Sequence, residues 1–178
     1  SGKRAHAWLH RVRDRVDGIL VGIGTVLHDN PRLTPRHPCL AGRGPRSYVR
    51  VILDESLAIP PDAALWRDIQ DFPVWLICGP GAPAERRQAS RDKGALIHEA
   101  PETNAGVDLR ATLSWLGAQG LTRILVEGGA LIHGSLLTDQ LADRAAIVVT
   151  PRLLGNSAVP MAVLNASTQL RETLRVDP

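Results

Sequence analysis

A chain of 178 residues that is 44% hydrophobic can bury one good core, and its length argues for a single domain. The formal charge of +3 comes with only 3% aromatic residues, and the arginines are spread along the chain and not interleaved with stacking side chains. That pattern argues for an ordinary basic surface and against a nucleic-acid partner. No apolar run approaches the roughly 18 residues a bilayer span needs, no signal-peptide core opens the chain, and Cys39 and Cys78 form no C-x-x-C unit, so no membrane partner and a reducing cytoplasm are expected. The chain opens Ser1-Gly2 and its one methionine is Met161, which reads as a piece of something longer.

Along the chain, Ser1 is placed to cap a helix on which Ala5, Trp8, Leu9, Val12 and Val16 share one face while Arg4, Arg11 and Arg15 lie mostly off it. Strand candidates follow at Ile19 to Val21, Val49 to Leu53, Val74 to Cys78, Ala95 to His98, Ile124 to Val126 and Ala145 to Val149. Helical candidates separate most of them, at Ala84 to Lys93, Leu109 to Gln119 and Ala130 to Gln140. Such alternation implies an α/β domain with a largely parallel sheet covered on both faces. The connectors at Pro35 to Pro45, Ile59 to Asp62 and Gly79 to Pro83 read as loops, none as a domain linker.

Two segments carry chemistry. In Arg123-Ile124-Leu125-Val126-Glu127-Gly128-Gly129-Ala130, a β-branched run ends in a carboxylate and two glycines, and the apolar helix-like Leu131-Ile132-His133-Gly134-Ser135 follows. Glycine lets a backbone approach a ligand closely, and the first N–H groups of a helix favour a phosphate. A plain strand-to-helix turn would also use glycine. In the second segment, Gly18-Ile19-Leu20-Val21-Gly22-Ile23-Gly24-Thr25-Val26-Leu27-His28-Asp29-Asn30-Pro31-Arg32-Leu33-Thr34-Pro35-Arg36, a buried-looking strand leads into a glycine-rich turn, then a hydroxyl, a carboxylate and two arginines. The alternative there is capping around Gly24-Thr25 and an Asp-Asn-Pro turn.

Together these segments resemble the reductase domain of bacterial riboflavin biosynthesis, the C-terminal half of the bifunctional deaminase-reductase. The family pattern is an R-[LV]-R helix, then V-G-x-x-T-V-L-x-D-[DN]-P-x-L-T-x-R, then V-E-G-G-x-x-[LI]-x-[GA], and all three occur here in order. The resemblance covers nearly the whole chain. It implies a dihydrofolate-reductase-like three-layer α/β sandwich, its central sheet mostly parallel with an antiparallel C-terminal portion, and a homodimer. It implies NADPH as cofactor, touched at Thr25, Asp29, Gly129, Ala130, Leu131, Ile132, His133, Gly134 and Ser135. The substrate, a phosphorylated pyrimidine-ribose, would meet Arg13, Leu33, Arg36 and Glu127, with the arginines suited to phosphate oxygens.

The implied reaction is that of a 5-amino-6-(5-phosphoribosylamino)uracil reductase, in which NADPH delivers hydride to ribosyl C1′. No side chain stands out as catalytic proton donor. A pterin or dihydrofolate-type reductase of the same fold and a non-catalytic dimerisation or regulatory domain are the alternatives. His6 and His10 have helical metal-ligand spacing but no Glu or Cys ligand nearby, so no metal is expected. Neither the H-x-E with P-C-x-x-C signature of a zinc deaminase nor a G-x-S-x-G elbow occurs. Three departures from the family pattern stand out. An opening S-L-D-G-[KR] strand and an S-x-W-I segment are missing before Ser1, Glu55 replaces a small hydroxyl residue, and the chain stops where relatives continue into a final strand. The reading is therefore one reductase domain over residues 1–178 lacking a first and a last strand.

Overall fold

The computed structural model describes residues 3–34, 47–104, 106–149, 158 and 160–164. Helix α1 (Lys3–Arg13) leads into strand β1 (Gly18–Gly22), which passes directly into helix α2 (Ile23–Asp29). Strand β2 (Val49–Leu53), a short 3-10 helix (Ala64–Asp68) and strand β3 (Val74–Cys78) follow. Helix α3 (Ala84–Asp92), strand β4 (Leu96–Glu99) and a two-stranded ribbon, β5 (Glu102–Thr103) with β6 (Gly106–Val107), come next. Helix α4 (Leu109–Ala118), strand β7 (Ile124–Gly128) and helix α5 (Ala130–Thr138) close the sequence of elements.

Five strands form one sheet in the order β4-β3-β2-β1-β7, and every pairing in it is parallel. Parallel strands covered on both faces read as near-continuous apolar runs, and Ile19-Leu20-Val21 and Val51-Ile52-Leu53 are such runs. Alternate residues go to opposite faces. On one face Ile19, Val21, Ile52, Val74, Leu76 and Cys78 pack with Val26 of α2 and Leu65 of the 3-10 helix. On the other, Leu20, Val51, Leu53 and Ile77 pack with Leu109 and Leu116 of α4 and Leu136 of α5. Helix α4 is bounded at both ends by local chemistry. The Asp108 carboxylate accepts the Ala111 N–H at 2.9 Å, and Gly120 (φ +90) supplies the left-handed residue that lets Leu121 N–H return to the Leu116 carbonyl.

The parallel sheet and most elements meet the sequence expectations, with shifts of a residue or two at their ends, but α1 stops at Arg13, so Val16 lies beyond it, and Trp8 of its expected apolar face is exposed. The strand expected at Ala145 to Val149 is not formed. Among the described residues that stretch pairs with no strand, and Ile147, Val148 and Val149 are exposed. Its β-branched residues satisfied the local preference, but a strand also needs a neighbour to take its N–H and C=O groups. The expected antiparallel portion is thus absent from the sheet of the described residues. The glycine-rich turn expected after the first strand is the start of helix α2 (Ile23–Asp29). Ser1, Arg36 and Cys39 lie outside the described residues. No helix among the described residues is long and apolar enough to cross a membrane.

Candidate active site

Strand order fixes where a ligand would sit. From β1 the chain builds outward through β2, β3 and β4, while β7 is added on the other side of β1, so the order reverses between β1 and β7. In open α/β sheets the crevice beyond the carboxyl ends of the strands at such a reversal is the ligand-binding place. Here that crevice is lined by the two glycine segments. Gly22 ends β1 and caps α2, Gly128 ends β7, and Gly129 caps α5.

These glycines make a seam that side chains would close. A Cβ on Gly128 would lie 2.6 Å from Thr25 Oγ1, and one on Gly22 would lie 2.8 Å from Ile132 Cδ1. At Gly129 the backbone takes φ +101, a conformation L side chains rarely adopt, and a Cβ would come 3.1 Å from Ile132 Cδ1. No side chain caps α5, and His133 N–H, bonded to the Gly129 carbonyl at 2.9 Å, belongs to its first helical hydrogen bond. The amides of Ala130, Leu131 and Ile132 precede that bond and carry the positive end of the helix dipole. A phosphate group fits such a cradle.

The expected site residues fall into distinct places. Thr25 lies in the first turn of α2 against Gly128, inside the crevice. Of the α5 residues, Leu131 is exposed, and Ile132 packs on the apolar core. His133 Nδ1 lies 2.9 Å from the Met161 carbonyl. Gly134 is covered by the chain itself, since a Cβ there would meet the Val163 carbonyl oxygen at 1.7 Å. Asp29 is the last residue of α2, paired at 2.8 Å with His28 and well exposed.

On the α2 face, Arg13 and Glu127 meet in a two-pronged ion pair, with side chains 13% and 10% exposed. Burial acts to lower the Arg13 pKa, but the hydrogen bond and charge of Glu127 outweigh it and hold the guanidinium above its ordinary value. Leu33 is buried in the core of the same face, and its carbonyl accepts the Tyr48 hydroxyl at 2.6 Å.

A family model described as the RibD C-terminal domain matches residues 1–176. This chain belongs to the RibD C-terminal domain family. It is 32% identical over 161 residues to the riboflavin biosynthesis protein RibD of Chlamydia muridarum, covering 90% of this chain and 42% of that protein. It is also 32% identical over 156 residues to the 2,5-diamino-6-ribosylamino-4(3H)-pyrimidinone 5′-phosphate reductase of Methanothermobacter thermautotrophicus, covering 87% and 68% of the two. Among solved structures, RibD of Acinetobacter baumannii superposes with a TM-score of 0.79 at 26% identity, covering 98% of this chain and 46% of that one. The chain thus spans less than half the length of these RibD relatives.

Within this RibD C-terminal domain, a second polar group escaped the sequence reading. Arg50 is fully buried in β2. Its guanidinium donates to the Arg32 carbonyl at 2.9 Å, to Asp68 at 2.7 Å and to the Phe72 carbonyl, while Arg32 itself reaches Asp68 at 2.6 Å. Burial lowers the Arg50 pKa against the hydrogen bond and charge of Asp68. Tyr48 lies in the field of both ion pairs, and burial pushes its pKa well above the ordinary phenol value. The signal was legible: an arginine inside Val49-Arg50-Val51-Ile52-Leu53, a run with no other polar residue, has to be buried with partners. Asp54, next in line, is buried and accepts the N–H groups of Ala58 and Ile59, which makes it the organiser of its turn. Beside it the Glu55 carboxylate reaches toward the Gly106 hairpin.

Proposed function

We propose that this chain carries the reductase step of riboflavin synthesis, acting as an NADPH-dependent 5-amino-6-(5-phosphoribosylamino)uracil reductase. One observation carries the reading. The glycine seam at the β1/β7 reversal opens beside the part-buried Arg13–Glu127 pair, so a phosphate cradle and a pair of opposite charges lie next to each other, Glu127 directly preceding Gly128. When bound, the nicotinamide would supply a hydride to C1′ of the ring-opened imine, whose nitrogen takes a proton from water or a substrate hydroxyl, leaving the ribitylamino product and oxidised cofactor. The chain would do the positioning. The amides at the start of α5 would hold the pyrophosphate, and Thr25 would fix the neighbouring part of the cofactor by its hydroxyl. Glu127 is placed to accept from the pyrimidine or ribose, and Arg13 is oriented by it toward the phosphate. Asp29, Leu33 and Arg36 remain expected contacts on the strength of the resemblance, and a homodimer is the expected assembly.

A second substrate is favoured by a specific observation, the name of the Methanothermobacter relative, whose pyrimidine still carries the 2-amino group. Both compounds share the ribosylamino phosphate on which the proposed contacts act. The test follows NADPH oxidation with each in turn, and with dihydrofolate. Turnover of either ribosylamino phosphate, with dihydrofolate ignored, supports the reading, and their ratio decides between the two pyrimidines. Preference for dihydrofolate, or NADPH binding without any turnover, overturns it. In the same assay Gly129→Val should weaken NADPH binding by about a hundredfold or more, because two methyls would fill the cradle at a backbone angle valine avoids.

A further inference from the structure

The segment Asn30-Pro31-Arg32-Leu33-Thr34 carries an expected substrate contact at Leu33, and its backbone is left-handed at two residues that are not glycine, one the asparagine cap of α2 and the other Leu33 itself. Asn30 has φ 42 and Leu33 has φ 51, both left-handed. For a bulky side chain such as leucine this conformation is costly and persists only where the surroundings over-determine it. At Leu33 the surroundings are two side chains from the start of β2. Arg50 holds the carbonyl just before Leu33, that of Arg32, at 2.9 Å, and Tyr48 holds the carbonyl of Leu33 itself at 2.6 Å. The two residues are two apart and so reach the same face. Asp68 ties Arg50 and Arg32 together, and Asn30 Oδ1 accepts the Ala64 N–H at 2.8 Å, so the 3-10 helix secures the other side of the segment.

A buried guanidinium is a costly way to obtain stability alone, because an apolar side chain of similar length often fills such a place as well. Arg50 also leaves its Nε–H without an acceptor among the described residues. What an apolar residue there would not supply is a grip on the Arg32 carbonyl, the Phe72 carbonyl and Asp68 at once.

We propose that Arg50, together with Tyr48, is a positioning residue for the substrate side of the site, clamping the strained Leu33 backbone so that the 30–34 segment is set before substrate arrives. The inference rests on the reductase reading above. It touches neither the α5 cradle nor the cofactor, which gives it a distinct signature.

The test compares Arg50→Met, Arg50→Lys and Tyr48→Phe with the parent chain, the last variant removing one hydroxyl and nothing else from the core. The expected result is a rise in KM for the ribosylamino phosphate on the order of tenfold in Arg50→Met and about threefold in Tyr48→Phe. NADPH affinity should stay within about twofold, and Arg50→Lys should recover part of the loss. Backbone amides of residues 32–34 should exchange faster with deuterium in Arg50→Met and Tyr48→Phe. A folded Tyr48→Phe with unchanged KM and unchanged exchange overturns the proposal, as does a parallel loss of NADPH affinity in every variant. A parent chain that binds NADPH yet reduces neither pyrimidine overturns the reductase reading and the positioning role with it. An active parent with insensitive variants overturns the positioning role alone.

Discussion

The two faces of the central sheet are built from the same strands and filled differently. Toward α4 and α5 the strands present Leu20, Val51, Leu53 and Ile77, and the helices answer with Leu109, Leu116 and Leu136. Toward α2 the same strands bury Arg50 with its partner Asp68, and the part-buried Arg13–Glu127 pair lies on this face too. A domain selected for stability alone would have no reason to charge one face and not the other, since buried ion pairs add little over well-packed hydrocarbon. The difference fits the proposed reading, in which the α2 face meets the substrate while on the other face only the first turn of α5 meets the cofactor.

The largest effect that tests this contrast is on the apolar side. Leu116 is fully buried, so Leu116→Ala should destabilise the fold by about 2–5 kcal/mol in urea unfolding while leaving KM for substrate unchanged in the protein that remains folded. A change in KM larger than that of any variant on the charged face would break the contrast. On the charged side, Glu127→Ala should cost less stability, about 1–3 kcal/mol given the residual exposure of both partners, because Arg13 is left half-enclosed without its carboxylate. It should nevertheless raise KM strongly, and equal unfolding midpoints with unchanged KM would remove Glu127 from the site.

The smallest effect lies at the opposite end of the sheet from the crevice. There the Thr122 hydroxyl, with the backbone N–H groups of Thr122 and Arg123, holds the Asp17 carboxyl below its ordinary pKa despite some burial. A depressed carboxylate contributes stability above its ordinary, unfolded pKa of 3.8, and loses it as pH falls through the lower folded value. Asp17→Asn should therefore flatten the acid limb of the stability curve by about 0.5 kcal/mol after solvent screening and leave turnover unaltered. An unchanged acid limb would show that Asp17 contributes only geometry.

Much of this architecture was legible beforehand for a physical reason. The strands of a buried parallel sheet are apolar runs bounded by Gly, Pro and Asp, and five of the six expected strands occupy those runs. The glycine segments were legible too, because a β-branched run ending in Gly128-Gly129 has few other uses. What escaped needed three dimensions. The stretch after Val21 reads as a glycine-rich turn because of Gly22 and Gly24, and only the fold reveals that Ile23 to Asp29 form a helix. The Arg13–Glu127 pair joins residues far apart in the chain, and local spacing cannot show that two expected ligand contacts hold each other. Arg50 was visible as an anomaly in β2, but its partners on Arg32, Asp68 and Phe72 were not.

The pairing of β1 with β7 also bears on how the chain folds. Gly18 pairs with Val49 on one side and with Ile124 on the other, so the crevice is closed by one of the most distant pairings in the sheet. Closing a long loop loses much chain entropy before any contact rewards it, and such pairings slow folding. Strands β1 to β4 can assemble as a growing sheet while β7 is still unpaired, so completion of the crevice is expected late in folding. A ligand bound there would brace the joint that forms last and, in unfolding, opens first. NADPH should then lengthen the lifetime of the native state by slowing unfolding, with little influence on the rate of folding.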